Sequence, residues 1–490
     1  MHWYEILVLI FYFLALGYLF LYSLGQLHLT LKYLKAKKTK SIKPPKLVEY
    51  PAVTIQLPVY NEKYVIKRLI DAVCRIDYPK NLLEIQVLDD SNDETTALAE
   101  ERINHYKSQG IDIKLIQRPV RDNFKAGALA YGLDRAKGEF IAIFDADFLP
   151  PKDFLEKTIP YFAEKGIGMV QTRWGHINRD FSFFTKMQAF GLDAHFSVEQ
   201  IGRNSVKSFI NFNGTGGVWR KTCIETSGGW SADTLTEDLD LSYRAQLKGW
   251  QFKYLESVES PAELPILMPA IKSQQYRWNK GAAETSRKNL KKVYQQKLPF
   301  ATKVHATFHL LNSSVFLMLL VVGILSLPLL LIKFNHPQLD LLFKIANLFL
   351  IGFFSIAYYF WVASKKAPFT TIKENFIKTF VSFMTVSMGL SLHNGIAVLE
   401  GFLGHKTPFI RTPKFNSSND DAGNKDNSYV KYKLELSTFA ELFLGFYFIA
   451  AMVLGVYLKD YGMFIFHAML AIGFITVFYQ SFRLIWHARE

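Results

Sequence analysis

The sequence FIAIFDADF at residues 140–148 places two carboxylates directly after a short apolar run. A run of this length, rich in β-branched and aromatic residues, is typical of a buried strand. Residues two apart on an extended chain point to the same side, so Asp145 and Asp147 can face one hard cation or the groups around it. Acidic residues also form ordinary turns after strands, and this motif alone leaves both explanations open.

Strand and helix segments alternate around this motif. Strands are predicted at 53–57, 84–90, 113–117 and 140–144, and helices at about 62–76, 93–109, 125–136 and 152–164. Short β-branched runs separated by helical segments indicate a parallel, Rossmann-like α/β sheet. Ligands of such sheets bind at the carboxyl ends of the strands, which is where the sequences PVYNE, DDSND and DADF occur.

The apolar residues are concentrated outside this α/β region. The chain has 490 residues, half of them hydrophobic, with a formal net charge of +14 and two cysteines. This composition excludes a disordered chain, and two cysteines cannot build a disulfide scaffold or a cysteine metal cluster. Residues 6–31 are long enough to cross a bilayer, which needs roughly 20 apolar residues. Similar segments follow at about 304–332, 339–363, 437–458 and 461–485.

A lysine cluster after the first apolar segment predicts the orientation of the chain. Its members are Lys32, Lys35, Lys37, Lys38, Lys40, Lys43 and Lys46. The positive-inside rule then places the N-terminus outside and the α/β domain in the cytoplasm. Since no basic stretch precedes the apolar run and no cleavage site is evident, we expect an anchor rather than a removable signal peptide.

The segment 376–400 differs from the other apolar segments because polar residues recur along it at helical spacing: Lys378, Ser382, Thr385, Gly389, His393 and Glu400. Such a helix either lies in the membrane interface or lines a polar path inside a bundle. A sixth crossing here would place the basic loop after it outside, against the charge rule. We therefore favour an interfacial helix and five crossings over six.

Two further motifs each have a functional and a structural explanation. In Thr236-Glu237-Asp238, a carboxylate can act as a general base, or the three residues can simply cap a helix. In QQYRW, Gln274, Arg277 and Trp278 share one helix face, where Arg binds phosphate and Trp offers a flat surface to a sugar. The same pair would also anchor an interfacial helix at lipid headgroups.

Taken in order, the motifs Asp89-Asp90, Asp145-Ala-Asp147, Thr236-Glu237-Asp238 and Gln274-x-x-Arg277-Trp278 resemble those of processive family 2 glycosyltransferases. The resemblance covers about residues 50–415 and includes cellulose synthase catalytic subunits and glucomannan or β-glucan synthases. It implies a GT-A type glycosyltransferase domain inserted in an α-helical membrane region of the inner or plasma membrane. It also implies inverting transfer of hexose from UDP-glucose or GDP-mannose to a growing polysaccharide. Export of that polysaccharide is a possible further function.

The resemblance also implies roles for individual residues. It assigns nucleotide contacts to Tyr60, Glu62, Asp90, Lys125 and Asp145. It assigns the metal, Mg²⁺ or Mn²⁺, to Asp145 and Asp147, and general base catalysis to Asp238. Pyrophosphate and acceptor contacts fall to Gln274, Arg277, Trp278, Phe212, Asn213 and Gly214. A gating loop that closes over the donor would include Phe409, Arg411, Thr412 and Lys414.

The predicted organisation divides the chain into six parts. They are a transmembrane helix (1–31), a basic linker (32–50), the cytoplasmic glycosyltransferase domain with interfacial helices (51–300), two transmembrane helices (301–364), an interfacial helix with the gating-type loop (365–436), and two transmembrane helices (437–490). The single N-terminal crossing and the lack of an appended domain depart from bacterial cellulose synthase. Its export coupling and cyclic-nucleotide control are therefore not carried over, and an accessory export subunit stays an open question.

Two alternative functions remain at this point. A non-processive enzyme that makes a glycolipid, similar to ceramide glucosyltransferase, would carry similar acidic and Arg-Trp motifs. A catalytically silent membrane scaffold or transporter could keep the fold, although the complete set of motif acids argues against it. The basic excess is explained by two anionic partners, lipid headgroups and a nucleotide sugar, so nucleic acid is not needed to explain it.

Overall fold

The structure is a computed structural model that describes residues 1–39, 47, 49–366, 375–407, 414 and 435–487. The strands are β1 (Val53–Val59), β2 (Leu83–Asp89), β3 (Asp112–Ile116), β4 (Phe140–Ile143), β5 (Ile167–His176), β6 (Gly217–Arg220) and β7 (Gln251–Ala262). The helices as far as the end of the sheet domain are α1 (Trp3–Lys38), α2 (Ile66–Cys74), α3 (Thr95–Lys107), α4 (Phe124–Leu133), α5 (Phe154–Thr158), α6 (Phe183–Ala194), α7 (Gln200–Ser205), α8 (Lys221–Thr226), α9 (Glu237–Leu247) and α10 (Met268–Gln295). The later helices are α11 (Phe300–Leu310), α12 (Ser314–Asn335), α13 (Asp340–Ala346), α14 (Leu350–Lys366), α15 (Phe376–Gly389), α16 (Ser391–Leu403), α17 (Leu436–Tyr457) and α18 (Phe464–His487).

The seven strands form one mixed sheet in the order β3-β2-β1-β4-β6-β5-β7. Strands β1 to β4 pair with one another in parallel, as the sequence predicts. Strand β6 runs antiparallel to both β4 and β5. The prediction of a parallel sheet is therefore incomplete. The reversal has a consequence for the site, because β6 begins at Gly217 beside Ile143, the last residue of β4. The loop that precedes β6 consequently lies at the carboxyl end of β4.

Helices cover both faces of this sheet. In β4 the alternate residues Phe140 and Ala142 enter one core, and Ile141 and Ile143 enter the other. This alternation follows from the two-residue period of a strand and explains why the whole strand is apolar. The helix predicted at 152–164 is shorter than expected: α5 gives way to a 3₁₀ turn over Ile159–Ala163, since Pro160 cannot donate a helical hydrogen bond.

Five helices among the described residues are long and apolar enough to cross a membrane: Trp3–Lys38, Ser314–Asn335, Pro337–Lys366, Leu436–Tyr457 and Phe464–Arg483. Two of them differ from the predicted segments. The N-terminal helix does not end near residue 31 but continues to Lys38, into the predicted linker, of which residues 40–46 and 48 lie outside the described part. The predicted segment 304–332 is split into α11 and α12.

The helix predicted at 376–400 is two helices, α15 and α16, bent by 51° at their junction. Two polar residues of the stripe face α10: the His393 imidazole lies 2.9 Å from the carbonyl oxygen of Lys272, and Glu400 lies 3.3 Å from Lys280 Nζ. The part of the stripe that lies on α16 thus contacts the helix that carries the QQYRW motif. Counting the bent pair as one span would raise the number of candidate crossings to six.

Candidate active site

A cleft that is open to solvent lies at the carboxyl ends of the parallel strands. Most of the predicted site residues line it: Tyr60, Glu62, Asp90, Lys125, Asp145, Asp147, Asn213, Gly214, Asp238, Gln274, Arg277, Trp278 and Lys414. Apart from Lys414, which lies between α16 and α17 in the chain, they come from the turns after β1, β2 and β4, the loop before β6, and helices α4, α9 and α10. The sheet therefore brings together residues that are up to several hundred positions apart in the chain.

Phe212 is the exception among the described site residues. Its ring is completely buried and packs edge-on against Trp219, with ring centres 5.5 Å apart. Its backbone N–H donates to Ser242 Oγ at 2.9 Å. Phe212 thus anchors the loop before β6 in the core of the domain and does not line the cleft. The predicted gating residues Phe409, Arg411 and Thr412 lie outside the described residues.

A lysine ties three parts of the site together. Lys125 Nζ lies 2.5 Å from Asp145 Oδ1, donates to the carbonyl oxygen of Gly214 at 2.9 Å, and is 3.9 Å from Glu237 Oε1. Its side chain is only 18% exposed, so these attractions act with little screening by water. The ammonium group therefore offsets part of a concentrated negative charge, and it is placed to do the same for a phosphate.

Asp238 is half-buried at the first turn of α9, beside the loop before β6. One carboxylate oxygen accepts from the N–H of Leu239 at 2.8 Å. The other faces Gly214, where an added Cβ atom would lie 3.1 Å from it. Burial, followed by the negative charge of Glu237, raises the pKa of Asp238 from 3.8 to about 7. A carboxylate with this pKa can both take and release a proton near neutral pH.

Thr236 does not cap α9 with its side chain as the sequence suggests. Its hydroxyl lies instead 3.2 Å from the hydroxyl of Thr285 on α10. An added Cβ atom at Gly281 would come within 2.5 Å of the Thr236 methyl group. The absence of a side chain at Gly281 thus lets α10 approach the start of α9. This close approach brings Asp238 and the QQYRW motif to the same cleft.

Lys414 reaches the same carboxylate cluster from the C-terminal part of the chain. Its ammonium lies 2.5 Å from Asp147 Oδ2 and 3.4 Å from the carbonyl oxygen of Glu263. Asp147 is 6% exposed. Both carboxylates of the Asp-Ala-Asp motif are therefore paired with lysines, Asp145 with Lys125 and Asp147 with Lys414.

The two residues of Asp89-Asp90 have different surroundings. Asp89 accepts from the Ser91 N–H at 3.0 Å and from the Thr96 hydroxyl at 2.6 Å, which is turn and helix-start chemistry. Asp90 lines the cleft and is held by two parallel bonds from Arg118, Nε to Oδ1 at 2.7 Å and Nη2 to Oδ2 at 2.6 Å. The structural explanation therefore applies to Asp89, and only Asp90 faces the site.

Sequence reasoning missed several residues of the cleft. Arg121 places its guanidinium 3.5 Å from the centre of the Tyr60 ring. Trp174 lies near the end of β5, and its ring centre is 6.4 Å from that of Trp278. Both rings line the cleft. Strand β5 was not predicted. Its run IGMVQTRWGH contains the β-branched and aromatic signal of a strand, and its carboxyl end could have been searched for cleft residues.

Arg277 is the half-buried cation of the QQYRW motif. Burial lowers the pKa of its guanidinium, and the carboxylates of Glu237 and Asp145 oppose that effect. An arginine stays protonated at neutral pH under such conditions. The cleft therefore combines acidic groups at its floor with fixed positive charge on α10, an arrangement suited to a diphosphate and its counter-ion.

Comparison with known proteins places this cleft in a family. Residues 54–224 match the model of glycosyl transferase family 2, and residues 140–364 match that of glycosyl transferase family group 2. The chain belongs to the family 2 glycosyltransferases. The prediction of a cellulose-synthase-like member of this family, made from four short motifs, is confirmed.

The curated relatives of this family 2 glycosyltransferase include plant enzymes. It is 43% identical over 282 residues to "probable glucomannan 4-beta-mannosyltransferase 4" of Oryza sativa subsp. japonica, covering 56% of this chain and 51% of the relative. It is 42% identical over 266 residues to "glucomannan 4-beta-mannosyltransferase 1" of Cyamopsis tetragonoloba, covering 53% and 51%. The chain thus spans about half the length of the curated relatives it matches.

A solved structure shares the fold of this glycosyltransferase. The mannosyltransferase PcManGT from Pyrobaculum calidifontis, solved with GDP-Man and Mn²⁺, matches with a TM-score of 0.51 at 20% identity. The match covers 74% of this chain and 99% of that one. It confirms the predicted α/β glycosyltransferase fold of GT-A type.

The donor set of Asp145 and Asp147 fits a hard divalent cation that binds together with a phosphate. Within the described part of the chain, no group of three or more His, Cys, Asp or Glu side chains is arranged to hold a metal ion. Mg²⁺ is commonly held by one or two carboxylates, with substrate phosphates and waters as the other ligands. Two carboxylates in a cleft that also holds Lys125 and Arg277 satisfy that requirement.

Proposed function

We propose that this chain is an inverting β-hexosyltransferase that elongates a polysaccharide from a nucleoside diphosphate sugar. The observation that carries the proposal is the placement of Asp238, a half-buried carboxylate with a pKa of about 7, in one cleft with Asp145, Asp147 and Arg277. General base catalysis needs a group whose pKa lies near the working pH and that is within reach of the reacting hydroxyl. Asp238 has that pKa at the edge of the cleft.

In the proposed reaction Asp238 removes the proton from the terminal hydroxyl of the growing chain. The hydroxyl oxygen attacks the anomeric carbon from the face opposite the diphosphate, so an α-linked donor gives a β-linked product. Lys125 and Arg277 bind the phosphate oxygens and stabilise the charge that grows as the sugar bond breaks. A divalent cation held by Asp145 and Asp147 would supply further neutralisation of that charge.

The donor we propose first is GDP-mannose, with UDP-glucose as the second candidate. Two observations support this order: the relatives are named glucomannan 4-beta-mannosyltransferases, and the structural match was solved with GDP-Man. Tyr60, Glu62 and Asp90 are the proposed nucleotide contacts at the far end of the cleft. The proposed metal is Mn²⁺ or Mg²⁺.

Five helices of the described residues are long and apolar enough to cross a membrane, which supports the proposal of an integral membrane protein. We further propose that residues 51–300 face the cytoplasm of an inner or plasma membrane, since Lys32, Lys35 and Lys37 follow the first span. Gln274 and Trp278 would hold the acceptor end of the polymer, and Lys414 would close the donor site as part of the proposed gating loop. Membrane lipid and a possible export subunit complete the proposed partners.

Product length separates this proposal from its alternatives. A water-insoluble polymer supports polysaccharide synthesis, whereas a single sugar on a lipid supports the glycolipid alternative. Membranes containing the protein would be incubated with GDP-mannose or UDP-glucose and Mn²⁺ or Mg²⁺, and any polymer analysed for its linkages. The scaffold alternative would be favoured if purified membranes turn over neither nucleotide sugar.

The assignment of the base is tested by Asp238→Asn. The variant should lose transfer by about 100-fold or more while GDP binding persists, because general base catalysis contributes on the order of 10²–10⁴-fold. Asp180→Asn, which removes an 83% exposed carboxylate, is the matched control and should behave as the wild type. An Asp238→Asn protein that elongates chains near the wild-type rate would show that another group is the base.

A further inference from the structure

The side chain of Asn213, next to the proposed base, is held from two directions. Its Oδ1 accepts from Gln200 Nε2 at 2.8 Å, and its Nδ2 donates to His195 Nε2 at 3.2 Å. Its backbone N–H donates to Gln171 Oε1 at 3.0 Å. Asn213 lines the cleft, and its neighbour Gly214 abuts Asp238. The amide is therefore fixed in the cleft, and the next residue of the chain adjoins the carboxylate of Asp238.

The imidazole that holds Asn213 is itself oriented by a carboxylate. His195 opens a π-helical turn, His195–Glu199, between α6 and α7. Its Nδ1 lies 2.7 Å from Glu199 Oε2. A carboxylate at this distance keeps the proton on Nδ1 and leaves Nε2 as an acceptor, which matches a bond from the Asn213 amide. π-helical turns of this kind occur frequently at functional sites.

Glu199 is in turn fixed by the membrane anchor. Gln26 Nε2, on α1, donates to Glu199 Oε1 at 2.6 Å, and Arg203 Nη1 lies 3.3 Å from Oε2. Gln26 is 3% exposed although it belongs to the uncharged run of residues 6–31. A buried polar side chain in an apolar span is costly unless it has a partner, and here the partner belongs to the sheet domain.

The two helices that carry this contact approach each other closely. An added Cβ atom at Gly202, on α7, would lie 2.7 Å from the carbonyl oxygen of Leu29 on α1. A larger residue at that position would push the helices apart. The Gln26–Glu199 bond is thus supported by backbone packing and does not depend on two exposed, mobile side chains.

We infer that His195 is a positioning residue for the acceptor sugar, and that α1 supports it through the polar chain Asn213–His195–Glu199–Gln26. The ligand class at Asn213 is a carbohydrate hydroxyl, which an amide recognises through the second Nδ2 hydrogen. This inference rests on the proposed function for the identity of the acceptor. It gives the N-terminal helix a role in the chemistry of the site in addition to membrane anchoring.

Three substitutions at one position separate the two bonds of the imidazole. The amide nitrogen of Asn overlays Nδ1 of His, so His195→Asn keeps the hydrogen bond to Glu199 and loses the hydrogen bond from Asn213. The amide of Gln overlays Nε2, so His195→Gln keeps Asn213 and loses Glu199. His195→Phe loses both. His105→Asn, at an exposed position of α3, is the matched control.

The measurement uses the full chain in detergent or nanodiscs, with β-1,4-linked mannotetraose as the acceptor probe. We expect His195→Asn and His195→Phe to raise the Kd and KM for mannotetraose about threefold to tenfold, the loss of a neutral hydrogen bond. GDP affinity and the KM for GDP-mannose should stay unchanged, which also reports that the variants are folded. His195→Gln should restore most of the tetraose affinity, and His105→Asn should match the wild type.

A second arm tests the link to the membrane helix. Gln26→Leu removes the donor to Glu199 and should raise the Kd for mannotetraose in the same direction as His195→Asn, again with unchanged GDP affinity. Gln338→Leu removes an exposed amide far from the site and should change neither affinity. An unchanged Kd for mannotetraose in Gln26→Leu would overturn the role of α1.

The outcomes distinguish this inference from the proposed function. If His195→Asn and His195→Phe bind mannotetraose as the wild type does, or lose GDP affinity equally, the positioning role is overturned. A wild-type protein that binds no mannotetraose at millimolar concentration also overturns it. If the wild type binds mannotetraose and the variants bind it more weakly, but no nucleotide sugar is consumed, the inference stands and the proposed enzymatic function fails.

Discussion

Removing the negative charge of Glu237 should make the proposed base more acidic. Burial and the charge of Glu237, in that order, raise the pKa of Asp238 from its ordinary 3.8 to about 7. Because burial is the larger cause, Glu237→Gln should recover less than half of the difference, about one pH unit or about 1.4 kcal/mol. The neutral amide has nearly the volume of the carboxylate, so packing at the start of α9 should be preserved.

The assay is the pH dependence of kcat/KM, followed by release of the nucleoside diphosphate between pH 5 and 9. A base must be deprotonated to act, so kcat/KM of the wild type should fall as the pH drops through about 7. In Glu237→Gln this acidic limb should move to lower pH by about one unit. Glu225→Gln removes an exposed carboxylate of α8 and should leave the limb in place. A limb that stays in place or moves to higher pH in Glu237→Gln would refute the electrostatic explanation.

Three further substitutions test the surroundings of the cleft. Arg118→Lys loses the two parallel hydrogen bonds to Asp90 and should weaken GDP binding about tenfold, as measured by titration calorimetry. A variant that binds GDP as tightly as the wild type would contradict the role of this pair. Gly214→Ala adds a methyl group at φ +81°, 3.1 Å from the carboxylate of Asp238, and should lower kcat with little change in GDP affinity, whereas an unchanged kcat would contradict it. Lys272→Met leaves the buried Glu441 without its partner at 2.8 Å and should lower the free energy of unfolding by about 3 kcal/mol. The loss should be seen as a lower Tm in detergent. The double variant Lys272→Met/Glu441→Leu should largely restore the Tm of the wild type.

The predicted site residues that proved to share a cleft do so for a local reason. Asp90, Asp145 and Asp147 each follow a strand whose apolar pattern is visible in the sequence, and parallel strands end at one edge of a sheet. Their meeting therefore follows from periodicity and chain order. Phe212 was assigned by the family resemblance alone, because a loop residue has no period, and its burial against Trp219 depends on where β6 lies.

The motif acids were individually ambiguous, and the structure divides them. Asp89 is satisfied by the Ser91 N–H and the Thr96 hydroxyl, which is the ordinary turn explanation, while its neighbour Asp90 is held by Arg118. Neighbouring residues of an extended chain point in opposite directions, so only one of the two can face the cleft. The alternation of a strand does not say which one; the family resemblance assigned the nucleotide contact to Asp90, and Asp90 is the one that lines the cleft.

By itself, the sequence determined the alternation of strands and helices, the apolar segments that can cross a membrane, and the order of the acidic motifs. These are properties of short windows, in which the spacing of apolar residues sets the local structure. Only the tertiary structure decided the direction of β6, which carries Asn213 and Gly214 to the carboxyl end of β4 beside Asp238.

The same holds for the long-range polar pairs. Lys414 forms a hydrogen bond with Asp147, 267 positions away, and Gln26 forms one with Glu199, 173 positions away. A charge or an amide attracts any complementary group, so composition and spacing do not specify its partner; the packing of helices and strands selects it. The FDADF segment and the motifs that follow it in order therefore pointed to the candidate site, while the pairing of Asp145 with Lys125 and of Asp147 with Lys414 required the folded chain.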